Sequence, residues 1–148
     1  FLPDEAMTPV AALSFCAKQA ALEDEDRDCY HAFAVYHVGD ARVIGDVGFY
    51  CPSGPENQAD LGFQFHPDYH GQGLATEAVL ALLHHGFENW NLRRVTSGCD
   101  ARNLPSFRLM ERVGMRREAH FVSSRVTKGV LHDEYAYALL RDEWFAQK

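Results

Sequence analysis

Residues 59–77 read ADLGFQFHPDYHGQGLATE. An alternating run over 59–66 predicts a strand that Pro67-Asp68 ends. A glycine-punctuated turn follows, and then Val79, Leu80, Leu83 and Phe87 recur at helical spacing. That spacing predicts a helix from near Gly73 to about Trp90, with Asn91 as a left-handed stop. A turn of this kind presents main-chain N–H groups to an anion, with the helix dipole behind them. Gly71 and Gly73 tolerate unusual φ and let a ligand come close to the backbone. The reading is a pyrophosphate cradle over Gly71, Gln72, Gly73, Leu74 and Ala75. It is not a dinucleotide fingerprint, which needs G-x-G-x-x-G, nor a P-loop, because no Gly-Lys-Ser/Thr follows.

Working outward, Thr8-Pro9 predicts an N-cap and first helical residue. Val10, Leu13, Ala17 and Ala20 then predict the buried stripe of an amphipathic helix ending near Leu22. Residues 23–28, EDEDRD, form an acidic link, either simply solvated or a trap for a basic substrate. Residues 31–38 and 42–50 predict two strands about a Gly39-Asp40 turn. Gly45 and Gly48 inside the second predict a bulge or a close backbone approach. Beyond the central helix come a strand over 93–99, a helix beginning near Pro105 and ending at Gly114, strands over 115–126 and 130–140, and a helical turn over 142–147. The order is β–β–β–α–β–α–β–β after an opening helix. It predicts an α/β (α+β) fold, a mixed sheet flanked by helices, in a single domain over 1–148.

Composition narrows the function. A net charge of −7 argues against a nucleic-acid surface. It suits a cationic partner, or it serves solubility alone. Cys16, Cys29, Cys51 and Cys99 have no C-x-x-C spacing and are expected to be reduced thiols of a cytoplasmic protein. No apolar run approaches the length that spans a bilayer. His84 and His85 are adjacent on a helix and point about 100° apart, so no metal is expected there. There is no G-x-S-x-G elbow and no H-E-x-x-H motif, which favours direct transfer chemistry over an acyl-enzyme.

The turn resembles motif A of the GCN5-related N-acetyltransferases (GNAT), Q/R-x-x-G-x-G/A. Gly73 and Ala75 match it, while His70 stands where Gln or Arg is usual. The continuation Ala75-Thr76-Glu77-Ala78 and the later Asp100-x-x-Asn103-x-x-Ser106 are similar to the branch of ribosomal-protein N-terminal acetyltransferases, the RimJ/RimL type. The resemblance runs from about residue 30 to the end. It implies a strongly bent mixed sheet that splays open around acetyl-CoA, and it leads to the expectation of an opening strand ahead of Phe1.

The same resemblance implies roles. Phe63, Gln64 and Phe65 would pair through the backbone with the pantetheine, and an N–H near Phe65 would face the thioester carbonyl. His70 would add a donor beside the cradle or stand as an ordinary turn residue. Asn103 would contact the pantetheine arm, and Ser106 would protonate the leaving thiolate. Helix capping is an equally good use of Asn103. Met110 occupies the place where many relatives carry an acidic Tyr, and it donates no proton.

For the base that takes the amine's proton, Glu118 is the first choice, with an exposed arginine-paired carboxylate as its other reading. Asp60 and His66 come second, and Tyr135 and Tyr137 lie on the last strand, with core packing expected for at least one. The expected activity moves an acetyl group from acetyl-CoA to a primary amine, either a protein N-terminus or a small molecule. The chain would act as a monomer or homodimer, without metal, nucleic acid or membrane. A CoA-binding module that has lost catalysis is the alternative, motivated by His70 and Met110.

Overall fold

The computed structural model describes residues 7–147; Phe1 and Leu2, expected as the tail of an opening strand, lie outside them. Helix α1 spans Pro9–Ala20, and Thr8 caps it by accepting a hydrogen bond from the Ala11 N–H at 3.2 Å. Strands β1 (Cys29–His37), β2 (Arg42–Cys51) and β3 (Gln58–Phe65) form an antiparallel meander. One 3₁₀ turn, Pro67–Tyr69, leads into α2 (Leu74–Glu88). Strand β4 (Arg94–Asp100) follows, then α3 (Leu104–Arg112), β5 (Arg116–Thr127), β6 (Val130–Leu140) and α4 (Arg141–Ala146). Asn91 is left-handed as expected, at φ 53°, though α2 itself ends at Glu88, two residues before the expected Trp90. Lys128 and Gly129 both take positive φ and close the last hairpin tightly.

The six strands lie in the order β1-β2-β3-β4-β6-β5. All neighbours are antiparallel except β3 and β4, the pair that α2 connects. On one face, Val79, Leu83 and Phe87 of α2 and Leu109 and Met110 of α3 pack with Phe49, Leu61, Val95 and Leu139 of the sheet. Each of these large apolar side chains contributes roughly 1.5–3 kcal/mol by leaving water. Tyr137 belongs to this core, its hydroxyl donating to Glu111 at 2.9 Å, and burial pushes the phenol up to about 12. Trp144 of α4 stacks on Phe87 with 5.7 Å between ring centres.

Helix α1 lies on the other, open face and departs from expectation. Its Val10 and Leu13 stripe is 78% and 72% exposed, and the helix has no buried residue. The cause is a competing face: Phe15, Cys16 and Gln19, roughly opposite the stripe, line a groove against Ala32, Ala34 and Phe65. Gln19 fixes that orientation. Its amide donates to the Tyr30 carbonyl and accepts from the Ala32 N–H, both at 2.8 Å, along the outer edge of β1.

Gly48 meets its expectation of close approach. A Cβ there would lie 2.6–2.7 Å from the Tyr30 ring and hydroxyl. The bulge is also present: the β1–β2 register shifts between Val35 and Tyr36, opposite Ile44.

Candidate active site

Strands β3 and β4 pair at only three positions, Gln58 with Arg94, Ala59 with Val95 and Asp60 with Thr96. At the vertex the Ser97 hydroxyl donates to the Leu61 carbonyl at 2.9 Å. Beyond it the strands part. The His66 N–H donates to Ile44 on β2, so the even-numbered residues of β3 turn their main chain to β2. Strand alternation therefore aims the main-chain groups of Phe63 and Phe65 into the gap. The Phe65 carbonyl is taken by His70 Nε2 at 3.0 Å. The Phe63 amide and carbonyl and the Phe65 N–H have no protein partner among the described residues, which leaves a strand edge facing the gap.

At the carboxyl ends of this parallel pair stand two helix starts. One is the turn before α2. Gly71 and Gly73 have φ of 75° and 83°, the left-handed region, and open space lies in front of both. The amides of residues 71–76 make no hydrogen bond to protein among the described residues. The first intrahelical bond is Glu77 N–H to the Gly73 carbonyl. Stacked donors of this kind at a helix N-terminus suit a phosphate group. The turn holds its shape from below: Gln72 donates to the Asp68 carbonyl at 3.0 Å, and His70 holds Phe65. His70 is thus a brace for the end of β3, and its Nε2 is spent on that bond.

The other start is α3. Asn103 caps it, accepting from the Ser106 N–H at 3.3 Å, and its own N–H donates to the Asp100 carbonyl at the end of β4. The capping use of Asn103 is therefore real. Its side-chain amide N–H groups and the Ser106 hydroxyl have no protein partner among the described residues. Further along, Arg112 reaches Thr76 in the first turn of α2 at 3.3 Å, tying the two helices across the open end of the gap. Asp100 is buried and bound twice by Arg102, which holds its carboxyl far below the usual range. That pair fixes where β4 ends.

On the open face, behind the vertex, is a recess of about 380 Å³ lined by Asp60, Thr96, Glu118, Arg125 and Glu134 among others. The two carboxylates proposed from sequence differ here. Glu118 is bound by Arg94 and by Arg116, the latter at 2.6 Å, and these partners hold its carboxyl below its usual range. A carboxylate so paired is a weak proton acceptor. Asp60 lines the recess and is exposed to solvent, yet desolvation by the protein around it still raises its carboxyl. The Thr96 hydroxyl donates to it at 2.8 Å and partly offsets the rise. Glu118 is thus tied to two arginines, whereas Asp60 is held by a neutral hydroxyl.

His66 caps the 3₁₀ turn, accepting from the Asp68 N–H at 3.3 Å. Tyr135 is sandwiched between Phe107 and His120 with Arg117 over its ring. His84 pairs with Glu88 and His85 with Asn89, so each has its own partner on α2. No helix among the described residues is long and apolar enough to cross a membrane.

Sequence reasoning missed Tyr30. Its hydroxyl lies 2.7 Å from where a Cβ would stand on Gly48 and on Gly62, over the open face of β2 and β3. The signal was the pair of glycines, 14 positions apart, that the register sets side by side.

Residues 2–116 match the model of the acetyltransferase (GNAT) domain family. The uncharacterized N-acetyltransferase YnaD of Bacillus subtilis (strain 168) is 34% identical over 97% of this chain and 81% of its own length. Among solved structures, an acetyltransferase (GNAT family) from Bacillus anthracis superposes with a TM-score of 0.79 at 30% identity. The match covers 96% of this chain and 80% of that one. The ribosomal-protein-S5-alanine acetyltransferase from Vibrio fischeri has a TM-score of 0.85 at 20% identity, covering 97% and 80%, a likeness of fold.

Proposed function

Because the chain belongs to the GNAT acetyltransferase family, we propose that it transfers an acetyl group from acetyl-CoA directly to a primary amine within a ternary complex. The observation that carries this reading is the parted β3–β4 pair, with a free strand edge on one side and unpaired amides of residues 71–76 at its open end. When bound, acetyl-CoA supplies an activated acyl group as a thioester.

The residues of the chain divide the remaining work. The amides from Gly71 to Ala75 hold the pyrophosphate, and the main chain of Phe63 and Phe65, on either side of Gln64, takes the pantetheine as an added strand. Asn103 donates to the same arm from its side-chain amide. The Phe65 N–H stabilises the oxyanion that forms when nitrogen attacks. Ser106, free of protein partners, gives its proton to the departing thiolate and regains one from water.

Asp60 receives the proton of the incoming ammonium. Its raised carboxyl makes it a better base than Glu118, whose two arginine partners keep it ionised and occupied. Glu118 then serves to hold Arg94 and Arg116 at the wall of the recess. The acceptor is a protein or peptide α-amine or a small amine. The similarity to a ribosomal-protein acetyltransferase fold supports the first, and the acidic recess suits either. We place the whole chain, 1–148, in one catalytic domain acting in the cytoplasm.

The test is release of free CoA thiol from acetyl-CoA with a panel of amines and N-terminal peptides, beside the melting-temperature rise produced by acetyl-CoA. Thiol release that depends on both substrates is expected. A folded protein that gains no thermal stability from millimolar acetyl-CoA overturns the reading. Stabilisation without turnover of any acceptor leaves a binding module in place of an enzyme.

A further inference from the structure

The register of the sheet sets residues of the open face in transverse rows. Tyr30, Tyr50, Asp60 and Thr96 form one row across β1, β2, β3 and β4. Ala32, Gly48 and Gly62 form the next, one step towards the open end of the β3–β4 gap. Asp60 is the last β3 residue paired with β4, so Gly62 is the first open-face residue beyond the point where the strands part. The Tyr30 side chain leans out of its own row and lays its hydroxyl over both glycines.

An aromatic ring covering two glycines is good packing by itself, and phenylalanine would supply it. The hydroxyl is different. It has no protein hydrogen-bond partner among the described residues and is not sealed from solvent, so it is open to a hydrogen bond from a ligand that displaces water. Asp46 and Asp60 lie close enough to act on it electrostatically, and with burial they push the phenol up to about 12. It therefore stays protonated at neutral pH, with lone pairs free to accept and a proton free to donate.

Resting on the acetyl-transfer reading, we infer that Tyr30 binds the acceptor: its hydroxyl, held over Gly62 where β3 and β4 part, accepts a hydrogen bond from the amine and sets it beside Asp60. At Gly62 a Cβ would meet that oxygen first, at 2.7 Å; at Gly48 it would meet the His31 carbonyl as well as the Tyr30 ring and hydroxyl. The acceptor class this selects is an unhindered primary amine on a flexible stem, since the nitrogen must descend to the sheet itself, past α1 and the β5–β6 hairpin.

The experiment compares wild type, Tyr30→Phe, Gly62→Ala and the double variant, with butylamine, 1,4-diaminobutane and an alanyl tripeptide as acceptors. Tyr30→Phe keeps the ring and removes the oxygen. Acceptor KM is expected to rise about tenfold, the effect of one hydrogen bond to a charged or polarised group, while acetyl-CoA KM stays within twofold. Gly62→Ala leaves Tyr30 in the chain but puts a methyl where its oxygen lies, so the same acceptor defect is expected. With phenylalanine at 30, the nearest atoms to that methyl are ring carbons 3.4 Å away, so the double variant should match Tyr30→Phe alone.

A Tyr30→Phe enzyme within twofold of wild type for every acceptor overturns the inference. So does a Gly62→Ala penalty that is undiminished in the Tyr30→Phe background, which would mark a role for the glycine alone. Melting temperatures with and without acetyl-CoA separate this from loss of fold. A wild type that neither binds acetyl-CoA nor releases thiol removes this inference together with the reading beneath it. Normal wild-type turnover with an unaffected Tyr30→Phe removes the inference alone.

Discussion

Along one side of β4, seven consecutive residues from Arg94 to Asp100 pair with β6; along the other, three pair with β3 before the strands diverge. Both seams are built from the same strand, so strand propensity does not explain the difference. The closed seam is filled by side chains that have left water, with Leu139 and Tyr137 on β6 buried against the helices. Beyond the Leu61 carbonyl, which Ser97 takes, and the Phe65 carbonyl, which His70 takes, the open seam leaves the Phe63 amide and carbonyl and the Phe65 N–H without a protein partner among the described residues, and a helix N-terminus stands at its far end. The lesson is a division of labour: the closed seam holds the fold together, and the open seam offers hydrogen-bonding capacity that the fold does not consume.

That division can be broken on each side separately. The largest effect is expected at the open seam. Gly73→Glu places a carboxylate at a left-handed position facing the pyrophosphate, and acetyl-CoA affinity should fall at least about 100-fold by isothermal titration. The melting temperature without ligand should fall by a few degrees at most: no neighbour packs against Gly73, but a side chain at φ 83° carries about 1–2 kcal/mol of backbone strain. At the closed seam the pattern should reverse. Leu139→Ala empties a fully buried site, and urea unfolding should show a loss of about 2–5 kcal/mol with acetyl-CoA affinity retained in the folded fraction.

The next prediction sharpens the contrast at the vertex. Asp60→Asn should lower kcat about 100-fold with acetyl-CoA KM unchanged, whereas Glu118→Gln should lower it less than tenfold while costing stability through its two arginines. Equal kinetic losses would return the base to Glu118.

The smallest effect concerns pH. A base works when deprotonated, so activity should rise with pH through the Asp60 pKa, which burial sets above the ordinary value near 4. The Thr96 bond lowers that pKa. Thr96→Val removes it, so the acid limb of kcat/KM should move to higher pH. A limb that stays put would mean that Asp60 does not govern it.

Much of this was legible in the chain because its causes are local. The cradle announces itself through two glycines and a helix start within five residues, and Thr8-Pro9 through a cap and a ring. Asn103 and Ser106 are three apart and share one helical turn. What escaped reading depends on residues that meet only after folding. Helix α1 carries apolar side chains on both faces, and Gln19, by bonding the edge of β1, selects the face that periodicity does not favour. Glu118 loses its basicity to Arg94, which lies 24 positions away. Tyr30 acquires its place from Gly48 and Gly62, each unremarkable until the register sets them side by side. The parting of β3 from β4 is invisible for the same reason: nothing in residues 61–65 or 97–100 says that they will remain unpaired.

The carboxamide of Gln19 has a consequence for the protein in solution. Among the described residues strand β1 is an outer member of the sheet, and exposed main-chain groups on such a strand would ordinarily recruit a strand from elsewhere. One side chain, by occupying the Tyr30 carbonyl and the Ala32 N–H together, imitates the missing neighbour and closes that stretch to self-association. Colloidal stability at high concentration thus hangs in part on a single glutamine.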